Sequence, residues 1–176
     1  MAAAVGRTLS GLIAIVMVMA YLAKGEREEK LRVYMHATML YKNVTFNTEA
    51  VVVQKSPGMS SAAASFGEMH VVDNPLTNGR SLTSSQVGSA QGVYAYCSRS
   101  NVAAWWSFTA FLDGRGTVIV MGVEQIIGSS FPRVLSVVGG TGDFANARGS
   151  VLFNTTAFKF PTFYVVSLDF TLLLPS

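Results

Sequence analysis

The densest cluster of residues able to do chemistry lies in Val137 to Gly149 (VVGGTGDFANARG), where Asp143 and Arg148 stand among four glycines and between two apolar runs. Gly139, Gly140 and Gly142 permit positive φ and a close backbone approach that other residues resist. The acid and the base therefore sit at the rim of whatever the apolar runs enclose, where they shape a site or form an ion pair at a tight corner. The stretch Gly140-Thr141-Gly142-Asp143-Phe144-Ala145 also fits G-x-G-x-x-A after a strand-like run, Val134 to Val138. A dinucleotide site needs that turn to open a helix inside a βαβ unit. Here Gly149 follows within a few residues, Val151 onward alternates as a strand, and no βαβ alternation precedes the motif. A glycine corner between two antiparallel strands fits the stretch better.

Other candidates are thinner. Glu68 and His70 alternate onto one strand face, too few ligands for a metal site. His36 reads as a satisfied strand histidine and Asp73 as a turn-stabilising acid. Tyr94, Tyr96, Trp105, Trp106, Phe108 and Phe111 supply aromatic core, and in a hollow barrel their inward half is also wall. No Ser-His-Asp order or nucleophile elbow appears, so hydrolase chemistry has no support. Cys97, the only cysteine, excludes an intrachain disulfide and reads as a small buried hydrophobe.

The elements that must position these residues are strands. Leu31 to Met39 alternates, and so does Phe163 to Leu173; between them run Ala50 to Gln54, Phe66 to Val72, Gln91 to Cys97, Ala103 to Leu112, Thr117 to Met121, Val134 to Val138 and Ser150 to Thr156. Asp73-Asn74-Pro75 reads as a turn, and Lys55 to Ser65 and Asn78 to Gln86 as loops. Asp113-Gly114 marks a hairpin, because a D-G pair suits the turn that matches strand twist. No helical period is sustained beyond the N-terminus. Short strands at regular spacing predict an all-β fold, an antiparallel barrel or sandwich. A barrel of about eight strands has an interior that side chains or one small ligand can fill. Many strands are apolar on both faces, which predicts outer faces buried against other subunits or under a loop.

The 176 residues suffice for one domain with a full core. Residues 1–25 read as a secretory signal: Arg7, then an apolar core from Leu12 to Ala23, then Ala23-Lys24-Gly25 with small residues for cleavage before Glu26. An uncleaved anchor is the alternative. Without Arg7 and Lys24, 11 basic and 10 acidic side chains remain of the 13 and 10, so the net charge falls from +3 to +1. No basic stripe predicts nucleic-acid binding, and no membrane association is expected after cleavage. Asn43-Val44-Thr45 and Asn154-Thr155-Thr156 are glycosylation sequons in keeping with export. Glu26 to Lys30 (EREEK) reads as a loose charged linker, leaving 31–176 as the domain.

The ordered motifs resemble the dirigent family of secreted plant proteins. Four blocks carry the likeness: Tyr34-Met35-His36 with Asn43-Val44-Thr45; FGEMHVVDNPLT (66–77); SQVGSAQGVY (85–94); and VVGGTGDFANARG (137–149). The resemblance implies an eight-stranded antiparallel barrel of the allene-oxide-cyclase type, a homo-oligomer (dimer or trimer) and export to the cell wall or apoplast. It implies no cofactor or metal and no oxidative centre in the protein, which makes it an auxiliary, non-enzymatic or weakly catalytic, more than an enzyme in its own right. A laccase or peroxidase supplies phenoxy radicals of the coniferyl-alcohol type, and the barrel orients two of them for lignan-like products. Fixing orientation is an entropic task, suited to aromatic walls and few polar groups. Other family members act as lyases or cyclases on quinone methides or isoflavonoid alcohols; a non-catalytic wall or defence binding protein is a further reading.

Carried over by position, the resemblance implies catalytic roles for Asp143 and Arg148 and substrate contacts at His36, Asp73, Gln91, Tyr94 and Phe144. Asp143 would hydrogen-bond a phenol or, with its pKa raised by burial, protonate a quinone methide. Arg148 would hold Asp143 ionised or bind a substrate oxygen, and these two roles pull the carboxyl in opposite directions. The chain departs from the family pattern at Ala37, where an Asp usually follows the His, and at Ser89, where an Arg is common; the family's paired cysteines are also absent.

Overall fold

The computed structural model describes residues 25–38, 47–53, 66–127, 132–159 and 162–176. The expected leader (up to Lys24), the Asn43 sequon and the expected loop at 55–65 lie outside them. The described residues form nine strands: β1 (Glu26–Thr38), β2 (Glu49–Val53), β3 (Met69–Thr77), β4 (Gln86–Tyr96), β5 (Val102–Leu112), β6 (Gly116–Ile127), β7 (Val134–Gly142), β8 (Arg148–Lys159) and β9 (Phe163–Pro175). They pair in the order β1-β9-β8-β7-β6-β5-β4-β3-β2, and β1 closes the ring on β3.

β1 and β2 are two pieces of one stave. Both lie antiparallel on the same edge of β3, β1 through Tyr34↔Thr77 and Met35↔Leu76, β2 through Glu49↔Val72 and Ala50↔Val71. Thr48 joins the two pieces: its N–H donates to Thr38 O at 3.3 Å, and its own carbonyl accepts from Asp73 N at 2.8 Å. The nine strands thus make a closed, all-antiparallel barrel of eight staves, the architecture the alternation and the family resemblance predict.

Three local readings are corrected. The EREEK stretch is not a linker but the first half of β1, paired residue by residue with β9 from Glu26↔Pro175 to Lys30↔Thr171; the backbone ladder does not need apolar side chains, so charge alone misleads there. Asp73-Asn74-Pro75 is not a turn but lies inside β3, paired with Gln91, Ala90 and Ser89 of β4. Asp73 N–H points to the β1/β2 edge, so Pro75, two residues on, turns its ring nitrogen to that same edge. It sits in the break between the β2 and β1 pairings, where no N–H is needed. Cys97, just beyond β4, is exposed rather than buried.

The expected hairpin at Asp113–Gly114 joins β5 to β6, with Gly114 at φ 71° and Arg115 N–H on Leu112 O at 3.0 Å. The expected corner between antiparallel β7 and β8 is the turn at 143–147, and Gly139–Gly142 runs into it as the end of β7, paired with β6. A Cβ on Gly140 would meet Thr117 O at 2.4 Å and Phe144 O at 2.5 Å, so the backbones approach too closely there for any side chain.

Alternation divides every stave into an inner and an outer face. Val33, Met35, Leu76, Ala90, Phe108, Val120, Val151, Leu168 and Phe170 fill the middle of the barrel. At the end carrying the 113–115 and 143–147 turns, Phe144 is fully buried among Leu112, Leu172 and Leu174. The Arg115 guanidinium covers its ring at 4.6 Å. That end is plugged by apolar side chains. The opposite end, where β4 and β6 finish and β5 and β9 begin, is polar inside.

Candidate functional site

The inner face of the polar end is built from short contributions of many staves. β2 gives Glu49, β3 gives His70, β4 gives Tyr94 and Tyr96, β5 gives Trp106, β6 gives Glu124 and β9 gives Tyr164. Each stands at an inward position because it keeps step with a buried apolar residue on its own strand: Tyr94 with Ala90, Trp106 with Phe108, Tyr164 with Val166 and Leu168.

Glu49 is buried and accepts two phenolic hydroxyls, Tyr94 at Oε2 (3.1 Å) and Tyr164 at Oε1. Burial pushes its carboxyl above the usual range, and the two hydroxyls, Tyr164 first, only partly oppose this. The site therefore holds a carboxylic acid reluctant to ionise. Burial likewise raises the phenols of Tyr94 and Tyr164, and pushes Tyr96 up to about 12. All three phenols stay neutral, and Tyr94 and Tyr164 donate their hydroxyls to Glu49.

Around this acid the walls are aromatic. His70 stacks on Tyr94 with centroids 4.4 Å apart and planes 12° apart, and its Nε2 lies 2.7 Å from Glu68 Oε1. Tyr96 meets both His70 and Tyr94 edge-on. Tyr94 in turn lies 4.5 Å from Trp106, which packs on Phe108 and Phe153. Trp106 donates its Nε1–H to a second buried acid, Glu124, at 2.7 Å. Glu124 also accepts Nε of Arg133 at 2.6 Å, while Arg133 reaches Thr155 Oγ1 at 2.6 Å. This second cluster ties β5, β6 and β8 to Arg133, just ahead of β7, with its charges paired. Asn74, inward and wholly buried on β3, has neither amide atom hydrogen-bonded among the described residues.

Of the residues expected to hold substrate, the barrel brings only Tyr94 to this end. His36 is buried but on the outer face of β1, its Nε2 2.7 Å from Thr77 Oγ1, which itself donates to Gly79 O. Desolvation lowers its pKa, and its task is to close the β1–β3 seam. Asp73 and Gln91 also face outward and hydrogen-bond each other at 3.1 Å. Phe144 plugs the far end. Asp143 and Arg148 are at that far end too and do not pair with each other. Asp143, 54% exposed, accepts Arg115 Nε at 3.1 Å, and Arg148, 69% exposed, pairs with Glu26. Arg115 also binds Glu29, and that contact, ahead of opposing burial, lowers the Glu29 carboxyl. Arg148 borders an open depression of about 490 Å³ with Glu26, Gly139, Gly140 and Asn146.

The expectation for the aromatics splits as alternation requires: Tyr94, Tyr96, Trp106 and Phe108 face in, while Trp105 and Phe111 face out and are partly exposed. Sequence reasoning missed Glu49, Glu124, Arg133 and Tyr164. The one signal available was parity, since Glu124 shares it with Val118 and Val120, and Tyr164 with Leu168 and Phe170. Ala37, at the family's usual acid position, is buried and inward, paired in register with Tyr164. That residue's hydroxyl holds Glu49.

Comparison with known proteins agrees with this architecture. The model of the family described as "Dirigent-like protein" matches residues 28–173. The chain is 33% identical over 142 residues to "Dirigent protein 5" of Arabidopsis thaliana, covering 79% of this chain and 76% of that one. It is 34% identical over 131 residues to "Pterocarpan synthase 1" of Glycine max, covering 71% and 68%. Among solved structures it resembles a pterocarpan synthase dirigent protein, with a TM-score of 0.74 and 26% identity over 85% of this chain and 86% of that one.

Proposed function

Because the chain belongs to the dirigent-like protein family, we propose that it is a secreted dirigent-type protein that holds phenolic species in the polar end of its lumen. There it fixes the face on which oxidase-generated phenoxy radicals couple. The observation that carries the proposal is the aromatic cage of His70, Tyr94, Tyr96, Trp106 and Tyr164 around one buried acid. Stacked walls select a flat ring, and the inward hydroxyls set which way its oxygen points. Coupling of two radicals needs little lowering of a barrier, so orientation is the whole contribution asked of the protein. The oxidant, a laccase or peroxidase, acts outside the barrel.

The proposal includes a homo-oligomer. On the outer face of β5 to β7, Trp105, Met121, Val123, Val134 and Val138 stay exposed, and Trp105 and Val123 are cross-strand neighbours. A second copy is the natural cover for such an apolar face. It also includes glycan attachment at Asn154, which is exposed on the outer face of β8.

A second reading is favoured by Glu49. A carboxylic acid kept protonated by burial suits a lyase or cyclase that protonates a quinone methide or a leaving hydroxyl without any oxidant, and a pterocarpan synthase is among the relatives. One experiment separates the two. Coniferyl alcohol and a laccase, with and without the protein, are followed by chiral chromatography, and an isoflavonoid alcohol is incubated with the protein alone. Enantiomeric excess in the first supports steering; racemic product there with turnover in the second supports the lyase.

A further inference from the structure

Two proton-handling groups sit side by side across the β2–β3 pairing. Glu49 pairs with Val72, and Val51 with His70, so Glu49 and His70 lie on the same inner face, one diagonal step apart. A carboxylate only accepts, so the contact between Glu68 and His70 places the hydrogen of the neutral imidazole on Nε2 and leaves the lone pair on Nδ1. Among the described residues Nδ1 has no hydrogen-bond partner, and the His70 side chain is 13% exposed. On the other side, Tyr164 stands at the start of β9 with its hydroxyl buried against Glu49. Burial makes a tyrosinate costly, so this hydroxyl can pass a proton only by receiving one from Glu49 in the same step.

We propose that this lumen, beyond orienting phenolic ligands, catalyses proton-transfer tautomerisation of enolisable phenolic ketones and ring dienones, with His70 as base and the Tyr164–Glu49 couple as acid. The step balances without any redox partner. Nδ1 takes the proton from the carbon next to the carbonyl, the C–H electron pair becomes the new C=C bond, and the C=O pair moves to oxygen. With Glu49 protonated on Oε1, the Tyr164 hydroxyl turns from Glu49 toward the substrate, gives its hydrogen to that oxygen and receives the Oε1 hydrogen in its place. Glu68 orients the imidazole and balances the positive charge it gains. Return of the proton from His70 to carbon reverses the step; exchange of both groups with water resets them.

The inference rests on the phenolic-ligand reading, and its test separates the two. The probe is 1-(4-hydroxyphenyl)propan-2-one in D₂O with the whole protein, its benzylic deuterium uptake followed by NMR. Saturable exchange above buffer is expected, falling about a hundredfold in His70→Gln and in Tyr164→Phe, with near-native circular dichroism in both. A merely structural role for these residues would give no protein-dependent exchange to lose. Exchange no faster than buffer, with line broadening showing that the probe binds, overturns the tautomerase inference and leaves the phenolic reading standing. No binding of the probe and no binding of coniferyl alcohol overturns both. His70→Gln keeps the test usable if Tyr164→Phe fails to fold, because it does not remove a hydrogen bond to the buried Glu49.

Discussion

Tyr94 and Trp106 lie ring to ring at 4.5 Å on adjacent staves, yet each donates to a different buried acid, Tyr94 to Glu49 at 3.1 Å and Trp106 to Glu124 at 2.7 Å. The contact divides the polar end into two halves with unlike duties. Glu124 is fully engaged by Arg133 and Trp106 and braces the wall. Glu49 is in no ion pair among the described residues, and burial, opposed mainly by the Tyr164 and Tyr94 hydroxyls, keeps it protonated over more of the pH range. On the proposed function, the chemistry belongs to the Glu49 half.

Glu49→Gln should reverse part of the pH dependence of stability. The folded carboxyl titrates above its unfolded value of 4.5, so its contribution is fully present below that value and is lost as pH rises through the folded pKa. Thermal unfolding across pH should show the wild type losing stability relative to the variant by up to about 1.4 kcal/mol per pH unit over that window. Parallel curves would show that Glu49 titrates normally.

His36→Gln should act in the opposite direction. Desolvation lowers the folded pKa below 6.5, so the wild type loses stability as pH falls from that value toward the folded pKa, and the variant does not. Since His36 serves the β1–β3 seam from the outer face, product chirality should be unchanged. A changed enantiomer ratio would return His36 to the lumen.

Asp143→Asn should leave product chirality intact and cost no more than about 1 kcal/mol in urea unfolding, the usual scale of an exposed ion pair. Its partner is Arg115, at the plugged end of the barrel. Loss of stereoselectivity in this variant would place the site at the wrong end.

Glu124→Gln should cost about 3–5 kcal/mol in the same assay, because it leaves the Arg133 charge without its buried partner. A loss below 1 kcal/mol would mean that Arg133 finds water or another acceptor.

The barrel was legible because period-2 alternation survives in β1, β5 and β9 and because the glycine corner and the Asp113–Gly114 turn admit few other conformations. The four dirigent blocks supplied the strand count and closure. The site was far less legible. Asp143 and Arg148 share a motif with the glycines, but the turn that presents them closes over Phe144, and their charges go to Arg115 and Glu26 instead. Glu49 carries no motif at all. Its inward direction follows only from β2 resuming the stave of β1, a register that no spacing along the chain reveals. Tyr164 and Glu124 kept parity with known core residues and could have been found by counting in twos.

The most direct measurement is the enantiomer ratio of products formed from coniferyl alcohol and a laccase at saturating protein, with the wild type and with Tyr94→Ala. The wild type should give a clear excess of one enantiomer, and the variant, having lost the ring between His70 and Trp106, should give a near-racemic mixture while remaining folded. Equal and undiminished excess in both would contradict a site at the polar end of the barrel.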